Sequence, residues 1–93
     1  MDKVTLLSLA MDLKRITTSI QRGSDKSAER FSEEAKRWIT NDIEDDYLKD
    51  LMEKITKSLN KKNDLAKAED CLMYSVLIQN QALYGNVVRN GFG

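Results

Sequence analysis

Between Cys71 and Ile78 the chain reads CLMYSVLI, and Ser75 is the one polar side chain in those eight residues. A helix that is apolar all round has no face to give to water and must be covered on every side. The chain that carries it has 93 residues and no proline. Nothing therefore forces a kink or a cis turn, and abundant Lys, Glu, Leu and Ala favour long helices. Together these features predict an all-α, antiparallel four-helix bundle with no β-sheet, built as one domain. A domain this short buries only about 60–65% of the surface its unfolded chain exposes, so its core is thin.

Four segments carry the helical period. The first runs over about 2–22, with Asp2 as N-cap and Gly23 as a left-handed stop. Its residues Leu6, Leu9, Leu13, Ile16 and Ile20 form one stripe. The second, about 25–40, turns Ala28, Phe31, Ala35, Trp38 and Ile39 inward. Its outer face offers Arg30–Glu34 and Glu33–Arg37 as ion pairs. The third, about 42–60, has Asn41 and Glu44 as a capping pair and Tyr47, Leu48, Leu51, Met52, Ile55 and Leu59 on one side. Asp50–Lys54 and Glu53–Lys57 dress its other side. Asn63 can cap the fourth, about 64–84, which either ends at Gly85 or tolerates that glycine and stops at Gly91. Residues 86–93 are expected to fray.

On the fourth helix, Leu65, Leu72, Val76 and Leu83 fall on one line with Ala68 beside them, and that line is the expected core stripe. Met73, Leu77 and Tyr84 lie about 100° away, and Cys71, Tyr74 and Ile78 continue round the back. A bundle covers only one stripe per helix. The first helix shows a milder surplus in Val4, Leu7 and Met11, whereas the middle two helices have charged outer faces. The terminal helices are neighbours in an up-down-up-down bundle, so their surplus can merge into a patch that monomers rarely leave open. The expected interface is therefore Val4, Leu7, Met11, Met73, Leu77, Gln81 and Tyr84, and the expected partner is a second copy or another protein. The alternative is an irregular bundle with crossing angles near 50°, in which the chain itself encloses the fourth helix. Gln79, near the core line, would fix register in helix packing or sit at the rim.

Chemical signals are sparse. There is no histidine, so the commonest general base and metal ligand are missing. The acidic run Asn41–Asp46 lacks the glycine of a calcium loop, since Tyr47 stands at the sixth position counted from Asp42. It reads as a helix start favoured by the dipole. A magnesium-dependent, all-α hydrolase of the nucleotide pyrophosphohydrolase kind is the alternative function, because it needs only carboxylates on helices. Glu33, Glu34, Asp50, Glu53, Glu69 and Asp70 are available, but only Asp50 and Glu53 have the required spacing, and each has a lysine four residues on. Cys71 has no second cysteine to pair with and reads as a small hydrophobe. Trp38 reads as a core anchor. Lys54, Lys57, Lys61 and Lys62 make a solvated basic helix end.

Fifteen Lys and Arg balance fifteen Asp and Glu, which disfavours a nucleic-acid partner. The absence of a long apolar run disfavours a membrane span, and the start MDKVTLL lacks the cationic and apolar blocks of a signal peptide. A cytoplasmic protein is the resulting expectation. Taken together, the sequence predicts a small non-enzymatic interaction protein, such as an adaptor, a chaperone-like subunit or a regulator, without a catalytic residue, metal or cofactor.

Overall fold

A computed structural model of the chain describes residues 1–40 and 43–92, with side chains through Gly85. It contains four α-helices: α1 (Lys3–Gln21), α2 (Asp25–Trp38), α3 (Asp46–Leu59) and α4 (Leu65–Phe92). Their order and packing make an all-α four-helix bundle, with α1 against both α2 and α4 and with α3 opposite α1.

The ends of α1 follow the capping rules. Asp2 accepts a hydrogen bond from the Thr5 amide at 2.8 Å. At the other end the Gly23 amide bonds the Ile20 carbonyl and the Ser24 amide bonds that of Ser19. This is a Schellman closure, and it requires Gly23 to take φ 76°.

Three expected boundaries move. α2 ends at Trp38, because Ile39 turns into extended backbone while keeping its side chain against the core. α3 begins at Asp46 rather than near 42, with Asp45 as N-cap accepting from the Leu48 amide at 3.1 Å; the proposed cap Asn41 lies outside the described residues. α4 runs through Gly85 to Phe92 instead of ending at 84.

Close approach between helices follows side-chain size. α1 supplies large residues, Leu6, Leu9, Leu13 and Ile16, to the core. The buried residues of α2 are Ala28, Ser32 and Ala35, and those of α4 include Ala68, Cys71 and Ser75. Small side chains let a neighbouring backbone come near, so α2 and α4 lie tight against α1. α3 brings Leu48, Leu51, Met52, Ile55 and Leu59 and stands further off. Tyr47, expected with them, is exposed.

This size rule overturns the expected orientation of α4. Ala68, Cys71, Ser75 and Ile78 are buried, with Ala82 packed against the core. The supposed core stripe Leu65, Leu72, Val76 and Leu83 is exposed. Ser75 is fully buried and satisfies its hydroxyl by donating to the Leu72 carbonyl at 2.6 Å.

Two buried ionisable groups complete the core. Asp12, 1% exposed, accepts from Trp38 Nε1 at 2.8 Å and from Arg15 at 3.2 Å. Lys67, 2% exposed, directs its ammonium at the carbonyls of Leu59 and Lys61 and at Asn63 Oδ1, all within 3.1 Å. Three donors thus meet three acceptors, and a cation sits at the negative end of α3. Among the described residues no buried side-chain nitrogen or oxygen lacks a partner.

Candidate interaction surface

α1 and α4 run antiparallel. Thr17, late in α1, donates to the carbonyl of Ala68 in the first turn of α4 at 2.8 Å. Met1 and Leu6, at the other end, line one cleft with Ala82 and Gly85. Halfway between, Lys14 Nζ reaches Gln79 Oε1 at 3.0 Å. Gln79 therefore borders α1 at a rim, tied by a cross-helix bond.

These contacts fix which flank of α4 faces which neighbour. Ala68 and Gln79 lie on the α1 side. Lys67 and Asp70 lie on the α3 side, the latter through Ser58 at 3.4 Å and Lys61 at 3.7 Å. At 100° per residue, Leu65, Leu72, Val76 and Leu83 sit just outside the α1 contact, on the same flank as Gln79. On α1, Leu7 and Met11 share the flank of Lys14, which reaches toward α4 by the same bond. The exposed leucine and valine stripe of α4 and the apolar start of α1 are consequently adjacent, separated by the shallow groove between the helices.

The stripe is open to solvent. Val4 is 72% exposed, Leu65 70%, Val76 48% and Leu72 46%. A set of large apolar side chains this exposed and this contiguous is uncommon on a domain that stands alone. Glu69 and Gln79 interrupt it as its polar members.

The expected interface residues are not all brought together. Val4 and Met11 are exposed and Leu7 half-buried, all on the α1 side of the patch. Met73 and Tyr84 are exposed but lie further round α4, away from α1. Leu77 is half-buried and packs on the core. Gln81 is half-buried and lines the cleft of about 600 Å³ at the open end of the bundle, together with Leu6 and Leu48. The residues missed by sequence reasoning are Leu65, Leu72, Val76 and Leu83. The signal that could have found them is the parallel line of small residues at 68, 71, 75 and 82, which suits a close helix contact better than a line of leucines does.

The carboxylates of the hydrolase alternative are dispersed. Asp50 pairs with Lys54 at 3.0 Å, Glu33 with Lys36 rather than Arg37 at 3.3 Å, and Asp70 with Lys61. Among the described residues no group of three or more His, Cys, Asp or Glu stands ready to hold a metal ion. Cys71 is buried, and that burial pushes its thiol up to about 11. No helix among the described residues is long and apolar enough to cross a membrane. Comparisons with protein-family models, with curated proteins and with solved structures give no match.

Proposed function

We propose that this protein is a non-enzymatic interaction module that docks through the joint apolar surface of α1 and α4, as an adaptor or regulatory subunit of the cytoplasm. The observation that carries this reading is the exposure of Leu65, Leu72, Val76 and Leu83 beside a buried line of smaller residues. Helix stability alone would be served as well by polar residues on that flank, which helices 2 and 3 use on their outer faces. Covering each half-exposed leucine or valine would contribute about 1 kcal/mol before the cost of association.

The test compares the wild-type chain with a Leu72→Glu, Val76→Glu double variant as bait in extract from the source cells. Both positions are exposed, so the variant keeps the helical content and melting behaviour of the wild type. A protein retained by the wild type and lost from the variant, whether a second copy or another chain, supports the reading. Identical capture by both baits overturns it.

A further inference from the structure

The exposed stripe of α4 has an internal symmetry. Its six positions are Leu65, Glu69, Leu72, Val76, Gln79 and Leu83, spaced four, three, four, three and four residues apart. Read from either end, the order is apolar, polar, apolar, apolar, polar, apolar. The midpoint falls at the level of Tyr74. A two-fold axis running between two antiparallel α4 helices, perpendicular to both at that level, matches the pattern with its copy. It sets Leu65 against Leu83 of the other copy, Leu72 against Val76, and Glu69 against Gln79.

We infer that the occupant of this surface is a second copy of the same chain, docked antiparallel, α4 on α4, about that axis. The inference rests on the reading of this surface as a docking face and names its partner. An isologous interface needs a patch complementary to itself, and this stripe is one.

Charge supports the same pairing. Glu69 is exposed and enters no hydrogen bond or ion pair within the described residues. Gln79, the position it would meet, already holds the ammonium of Lys14 at 3.0 Å. Each Glu69 is thereby brought to the level of a cation on the other copy, twice per dimer. The apolar start of α1 fits as well. Leu7 and Met11 lie along the Leu83 and Val76 half of the stripe, so Leu65 and Leu72 of the other copy would enter the groove between α1 and α4. The later part of the same α1 flank carries Lys14, which reaches back to Gln79, and then Thr18 toward the Leu65 end.

The test has three readings on the full chain. Light scattering across a concentration series should give twice the 10.6 kDa of one chain. Separately tagged Leu65→Cys and Leu83→Cys chains should form a mixed disulfide when combined and oxidised. Neither should link to itself, because the two positions lie about 27 Å apart along one helix. Glu69→Lys should weaken the dimer about tenfold, by placing lysine against Lys14, and adding Lys14→Glu to the same chain should restore most of the loss. A Leu65→Cys self-disulfide, or a charge swap that restores nothing, overturns the antiparallel pairing. A wild-type chain that stays monomeric yet captures another protein through Leu72 and Val76 overturns the second copy and leaves the broader reading standing. A monomer that captures nothing overturns both.

Discussion

Trp38 Nε1 donates a 2.8 Å hydrogen bond to Asp12 Oδ2, tying the last residue of α2 to the middle of α1. The indole is thus more than a packing anchor: it supplies one of the two donors that stabilise a buried carboxylate, and Arg15 supplies the other. Trp38→Phe keeps the ring and removes the donor. It should cost about 1–3 kcal/mol, the penalty for an under-satisfied buried group, read as a lower midpoint in denaturant.

Burial holds the Asp12 carboxyl above its usual value, against weaker downward pulls from the Trp38 and Arg15 bonds. The folded chain therefore keeps this proton to higher pH than the unfolded chain does. The associated stability is full below the ordinary carboxyl value and is lost as pH rises through the folded one. Asp12→Asn has no such proton. The wild-type stability minus that of Asp12→Asn should accordingly fall as pH is raised from about 3 toward 7, measured by denaturation at each pH. A flat or rising difference contradicts the assignment.

Lys67→Met should be among the most damaging substitutions of α4. It removes the donors that satisfy the carbonyls of Leu59 and Lys61, of which the former bond is buried. A loss of about 2–3 kcal/mol is expected, which in a domain of this size lowers the melting temperature by roughly 8–24 °C. Lys61→Met, an exposed lysine in a long 3.7 Å ion pair, is the control and should change little.

Gly23, just past the end of α1, and Gly85, inside α4, should respond in opposite senses. Gly23 has open space around it but sits at φ 76°, so Gly23→Ala costs about 1–2 kcal/mol in backbone strain. At Gly85 the three atoms nearest an added methyl all belong to the Gln81 side chain, its nitrogen at 2.8 Å, and that flexible end can move aside. Gly85→Ala should therefore stabilise by up to about 1 kcal/mol. Thermal melts of the two variants decide both signs.

Cys71 should ignore a water-soluble thiol reagent in the native protein and react fully in denaturant. The side chain is inaccessible, and burial raises the thiol to about 11, so little thiolate exists at neutral pH. Rapid native labelling would place Cys71 elsewhere.

Periodicity and end signals made much of this fold legible. The Leu6 to Ile20 stripe, the Asp2 cap and the Gly23 stop follow from spacing and from backbone conformations that few residues support. The orientation of α4 did not, because a hydrophobic scale ranks Leu72 above Ala68 wherever they stand. The contact with α1 selects instead for the smaller volume, and an apolar run offers no polar face to correct the choice. Asp12 and Lys67 were hidden for the converse reason. Their burial depends on partners 26 and 8 residues away, Trp38 and the Leu59 carbonyl, that no local pattern brings into view. The terminal helices do carry exposed apolar residues beyond one stripe each, but on α4 the same rotation exchanges which line is exposed and which is buried.

The Lys67 ammonium closes the final turn of a helix to which it does not belong. The carbonyl of the last α3 residue finds that donor only where the opening turn of α4 presents it. The two arms of the second hairpin are therefore coupled at their bend, and a change that unwinds the start of α4 also strips a buried acceptor of α3 of its partner.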